Sequence, residues 1–134
     1  MISYLEEITA LQLPIGSYAI FGSGPLAVRN LRDNTDIDLI VTKQLWRQLS
    51  TTHEIATRSV GDRIVEIIEI GNIELFHDWL PYVANVEPLI ASAELINGFP
   101  YVRLEHVLAW KRMMGRPKDI VDMQKITAYL NNQH

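Results

Sequence analysis

Residues 21–41, FGSGPLAVRNLRDNTDIDLIV, carry a glycine-serine turn near one end and two aspartates around a single isoleucine near the other. Residues 17–21, SYAIF, form a short apolar run of good strand formers. Gly22-Ser23-Gly24-Pro25 interrupts that run, and a helical segment with Leu26, Arg29 and Asn30 begins after it. Residues 37–41, IDLIV, then read as a buried strand. The stretch is therefore strand, tight turn, helix, strand. Twelve residues separate Ser23 from Asp36. Strand side chains alternate faces, so Asp36 and Asp38 point the same way and Ile37 points into the core.

Working outward, Ile2, Leu5, Ile8 and Leu11 recur at helical spacing, and Pro14 closes a helix over residues 2–12. A second helix is expected over residues 43–49. Residues 53–76 are rich in β-branched side chains, and IVEIIEI at 64–70 and IELF at 73–76 flank the turn pair Gly71-Asn72 as an antiparallel hairpin. Residues 86–93 turn helical, Gly98-Phe99-Pro100 reads as a turn, and helices over 104–114 and 117–130 complete the reading. The expected fold is α+β: a mixed sheet with packed helices and a C-terminal helical pair, as one domain over residues 1–134.

Composition narrows the function classes. Hydrophobic residues at 48% and charged residues at 21% fit a folded chain rather than a disordered one. The formal net charge of -4 gives no broad positive surface for nucleic acid or anionic lipid. The absence of cysteine removes disulfides, thiolate nucleophiles and thiolate zinc sites. No stretch has the length of a membrane span and no secretory leader is evident, so the cytoplasm is the expected location.

The chemistry lies in the opening stretch. Two carboxylates side by side resist ionising together unless a cation lies between them. Hard oxygen ligands suit Mg²⁺, which commonly completes its shell with substrate phosphates. The Gly22-Ser23 turn ahead of a helix offers close backbone approach and amides for phosphate. Together these features resemble the signature of the DNA polymerase beta-like nucleotidyltransferase superfamily, in which a Gly-Ser turn precedes an Asp-x-Asp strand by about a dozen residues. The resemblance implies a third acidic residue on a neighbouring strand, and Glu74 in IELF is the candidate, although many members carry Asp there. LEHVLAWKRMMGRPKDIVDMQKI at 104–126 is similar to the helical segment of small bacterial members, and Lys111 falls where the family places a lysine, within reach of a phosphate.

What the resemblance implies is Mg²⁺-dependent transfer of a nucleoside monophosphate from a triphosphate such as ATP to an acceptor hydroxyl on protein, RNA or a small molecule. Asp36, Asp38 and Glu74 are the expected metal ligands and catalytic residues, with two ions in play, and Gly22, Ser23 and Lys111 the expected nucleotide-binding residues. The alternative is a non-catalytic nucleotide- or partner-binding module of the same fold, for example in a toxin-antitoxin pair; a homo-oligomer is also open.

Each residue has a plainer reading beside the functional one. Asp-Ile-Asp is often a solvated strand end, Glu74 fits the polar face of a hairpin, and Lys111 fits a solvated helix face. Arg29 and Arg32 face substrate or solvent. Pro117, Asp119 and Asp122 are what capping and dipole compensation would produce. His53, His77, His106 and His134 show no metal-ligand spacing, and His77, next to Phe76, either approaches the site or, as expected, ends its strand. Trp46, Trp79 and Trp110 read as core or interface anchors.

Overall fold

Alternation along Ile37–Val41 organises the molecule, because this strand, β2, sits in the middle of the sheet and sends side chains to both of its faces. In the computed structural model, which describes residues 1–133, β2 pairs antiparallel with β1 (Tyr18–Phe21) and parallel with β5 (Ile73–Phe76). Beyond β5 lie β4 (Arg63–Ile70) and β3 (Ala56–Val60). Beyond β1 lie β7 (Phe99–Tyr101) and β6 (Glu94–Ile96). The order is β3-β4-β5-β2-β1-β7-β6, a mixed sheet of seven strands. The helices are α1 (Leu5–Leu11), α2 (Gly24–Ala27), α3 (Lys43–Ser50), α4 (Glu87–Ala91), α5 (Leu104–Met114) and α6 (Pro117–Asn131), so the α+β expectation holds.

Two apolar layers follow from that alternation. Ile37, Leu39 and Val41 join Ile20, Ile68 and Leu75 on one face, beneath Ile8 of α1 and Leu45 and Trp46 of α3. Ala19, Phe21 and Ile40 take the other face, beneath Leu89 and Ile90 of α4, Val107 of α5 and Ile126 of α6. Each fully buried side chain of this size contributes about 2 kcal/mol relative to exposure. Asp38 shares its face with Ile40, so it emerges on the α4–α6 side. Among the described residues, no helix is long and apolar enough to cross a membrane.

Local chemistry sets the element ends. Thr42 caps α3 by accepting a hydrogen bond from the Leu45 amide at 3.2 Å. Gly115, in the left-handed region at φ 61°, ends α5, and Pro117 opens α6 immediately afterwards. Asp119 completes a capping box there, accepting from the Arg116 backbone amide at 3.0 Å. That is the capping role read from the sequence. Asp122 does more than compensate a dipole, because it is buried against Lys111 and Arg32 at 2.9 and 2.7 Å.

Three boundaries depart from the sequence reading. α1 starts at Leu5 rather than residue 2, since Tyr4 adopts a left-handed φ of 75° that a helix cannot contain. β3 went unnamed because four of its five residues are exposed and show no apolar alternation; it is held only by its pairing with β4. Phe99 and Pro100 are strand residues, and the turn lies one step earlier, at Asn97-Gly98, whose φ values of 52° and 87° suit a tight hairpin between β6 and β7.

Lys111 is 3% exposed and lies between two buried carboxylates, those of Asp119 and Asp122, so it is not on a solvated face. Lys111→Met removes the shared partner of both, and the expected loss is about 3 kcal/mol. Urea unfolding monitored by tryptophan fluorescence measures it. A midpoint equal to the parent's contradicts a structural role for this ammonium.

Candidate metal centre

The parallel register of β2 and β5 sets Asp38 directly opposite Glu74. Asp36 lies two residues before Asp38, just ahead of the strand, and Asn34 holds that approach by donating to the Asp36 carbonyl at 3.0 Å. One oxygen from each of Asp36, Asp38 and Glu74 falls within 4.8 Å of the others. The three carboxylates named from the sequence therefore converge. Glu74 is 8% exposed, which removes the reading of it as a solvated hairpin residue.

The Gly22 turn closes against the same group. Gly22 has φ +60°, and a Cβ there would collide with the Asp38 carboxylate, so this position requires glycine twice, for conformation and for space. Phe21 pairs with Asp38 across β1 and β2, which brings the turn to the edge of the carboxylate cluster. Ser23 precedes α2, but its hydroxyl caps nothing.

Electrostatics set the three carboxyls against one another, and Arg58 relieves only part of the strain. Burial, then the charges of Asp36 and Glu74, push the Asp38 carboxyl up to about 8, against a smaller downward pull from Arg58. Glu74 is also raised, by burial first and by its contact with Asp36, although Arg58 opposes this. Arg58 reaches across from β3 to donate to the Glu74 carboxylate, and it lies 3.8 Å from Glu69. The residue types fit a hard divalent cation: two carboxylates on paired strands and a third just ahead of one of them, with two of the three reluctant to ionise unless positive charge arrives.

A cavity of about 590 Å³ opens over these groups, within the range of small-molecule sites. Gly22, Ser23 and the three carboxylates line one part of it; Phe76, Trp79 and Trp110 line another. Trp79 stacks on Phe21 at 4.6 Å and Trp110 meets both edge-on at 5.2 Å, so two of the three tryptophans anchor this wall. Trp46 lies elsewhere, against His77. His77 follows β5 and bonds to Glu66 at 3.0 Å, as a strand-ending residue would. Lys111 also lines the cavity, with its ammonium engaged by Asp122 at 2.9 Å. Arg29 does neither of the things expected of it: it is buried and pairs with Glu94 at 2.7 Å. Arg58 was missed, because an arginine in an exposed, non-alternating segment carries no sequence signal of what it will reach.

Comparison of the chain with family models, with curated proteins and with solved structures finds no match.

The raised carboxyls set the pH dependence. The folded chain holds the Asp38 proton more tightly than the unfolded chain does, so the stability this group contributes is fully present below the ordinary carboxylate range and is lost as pH rises toward about 8. Mg²⁺ is expected to oppose the fall, stabilising the protein more at pH 8 than at pH 5. Thermal melts at both pH values, with and without Mg²⁺, measure this. Asp38→Asn should flatten both dependences; an unchanged profile in that variant contradicts the assignment.

Proposed function

We propose that this chain is a nucleotidyltransferase-like enzyme that moves a nucleoside monophosphate from a nucleoside triphosphate to an acceptor hydroxyl. The observation that carries the reading is the convergence of Asp36, Asp38 and Glu74 beside a glycine turn that touches Asp38. Like charges opposite one another on neighbouring strands destabilise a sheet, and burial makes the arrangement worse. A cluster built this way is best explained by the cation it receives. Asp36, Asp38 and Glu74 would hold Mg²⁺, which when bound supplies charge neutralisation for the triphosphate and acidifies the acceptor hydroxyl.

The chain's own groups then divide the work. The backbone at Gly22 and the free hydroxyl of Ser23 hold the β and γ phosphates, which is positioning and charge stabilisation rather than covalent chemistry. The aromatic wall of Phe76, Trp79 and Trp110 excludes water from the inner part of the cavity. The acceptor oxygen bonds to the α-phosphorus while the bond from that phosphorus to the bridging oxygen breaks. Pyrophosphate leaves with that electron pair, and the hydroxyl proton passes to Glu74. No protein group forms a covalent intermediate. Lys111, shared by Asp119 and Asp122, braces the cavity wall.

One contact supports a second reading. Arg58 holds the Glu74 carboxylate, as a permanent counter-ion would in a module that binds nucleotide or a protein partner without transfer. Glu74→Gln separates the two. In an enzyme the third carboxylate acts mainly in the transition state, so pyrophosphate release should fall about 100-fold or more with little change in nucleotide affinity. Candidate acceptors are tRNA, a partner protein and small hydroxylated molecules. Absence of transfer by the parent together with its appearance in Glu74→Asp would establish the binding module instead. Asp36→Ala with Asp38→Ala should abolish Mg²⁺-dependent nucleotide binding in either case, and retained affinity would move the site elsewhere.

A further inference from the structure

The chain has a net charge of -4, yet six of its twelve lysines and arginines line the one cavity over the carboxylates. Two of the six, Arg58 and Arg63, belong to the β3–β4 hairpin. The other four meet where α5, α6 and the segment after α2 come together, and three of these form a single ionic row. Arg32 donates to Asp122 at 2.7 Å; Asp122 lies 2.9 Å from Lys111; Lys111 lies 3.5 Å from Asp119; Asp119 accepts from Arg116 at 2.5 and 3.0 Å. The centre of the row is buried, with side-chain exposures of 4% for Lys111, 0% for Asp119 and 5% for Asp122, whereas the two arginine ends are exposed by 35% and 38%.

This arrangement holds more positive charge than its own carboxylates require. Two buried aspartates are balanced by Lys111 and either arginine, so the third cation is surplus. Lys118, also on the cavity wall, pairs with no carboxylate among the described residues. Each arginine uses two of its five N–H donors inside the protein, leaving the remainder of a planar fork for a ligand. Lys111 is in the opposite position, enclosed and already shared by two carboxylates.

We infer that Arg32 and Arg116, oriented by the buried Asp122–Lys111–Asp119 row, form a clamp for the distal phosphates of a polyphosphate ligand, with Lys111 as the centre of the row rather than a phosphate ligand. The inference rests on the nucleotide reading of the same cavity for its biological ligand. Guanidinium forks grip phosphate oxygens in pairs, and anchoring by a buried carboxylate removes the rotamer freedom that an arginine otherwise loses on binding. A row serving only to tie α5 and α6 to the segment after α2 would have no use for the surplus charge or for arginine heads on a cavity wall.

Inorganic tripolyphosphate, titrated calorimetrically without metal at low ionic strength, is the probe. Arg116→Gln and Arg32→Gln should each weaken its binding about tenfold, the loss expected for a charge-assisted contact. Arg112→Gln removes the same charge from an exposed position of α5 outside the cavity wall and should change it less than about twofold, because that charge is screened. Asp119 keeps Lys111 and the Arg116 amide in the first variant, and Asp122 keeps Lys111 in the second, so both should fold. Should Arg116→Gln unfold, Arg32→Gln and the charge-retaining Arg116→Lys decide.

Equal losses in Arg112→Gln and the clamp variants overturn the inference, as does a parent that fails to bind tripolyphosphate. Mg²⁺-nucleotide binding that needs Asp36 and Asp38 but ignores both arginines overturns the clamp and leaves the nucleotide reading intact. Tripolyphosphate binding that needs the arginines, in a chain that binds no Mg²⁺-nucleotide, supports the clamp and overturns that reading.

Discussion

Everything distinctive about this molecule depends on one pairing, the parallel register that lays β5 against β2 with Glu74 opposite Asp38. A shift of one residue would turn Glu74 to the far face of the sheet, where Ile73 and Leu75 now pack under α1 and α3. Burial of both faces of the central strands forbids that slip. The hydrophobic effect thus holds two acidic side chains in a contact that their own charges oppose. The repulsion is local and the apolar layers are extensive, so the layers win, and the site retains a standing demand for positive charge. Arg58 meets part of that demand from the hairpin.

The sequence was readable where a residue's role is decided by its own strand or turn. IDLIV specifies a two-sided strand, Gly22 a turn that tolerates φ above zero, and Gly115 followed by Pro117 a break between helices. The antiparallel hairpin of β4 and β5 was legible from Gly71-Asn72 and its flanking apolar runs. The three carboxylates could be named from the resemblance that the Gly-Ser turn and Asp-Ile-Asp carry, with Asp36 and Asp38 flanking Ile37 and Glu74 inside the apolar run IELF. Their convergence required the parallel pairing, which no local pattern specifies.

The less legible parts are those whose meaning comes from distant partners. β3 has no apolar rhythm, since it lies at the sheet edge and is held by main-chain bonds to β4, so Arg58 gave no sign that it would reach Glu74. Lys111, Asp119 and Asp122 look like surface residues of two amphipathic helices. They become an interior row only when α5 and α6 pack and Arg32 arrives from ninety residues away in the chain. Phe99 and Pro100 resemble turn residues, and are in a strand because Asn97 takes the left-handed position instead.

The central claim is that Asp36, Asp38 and Glu74 form a metal centre, and anomalous scattering from crystals grown with Mn²⁺, which accepts the same hard oxygen ligands as Mg²⁺, tests it most directly. The account predicts a peak about 2.1 Å from oxygens of these carboxylates, with the Arg58 guanidinium displaced from Glu74. A peak elsewhere, or none at this cluster with the Arg58–Glu74 pair intact, would contradict it.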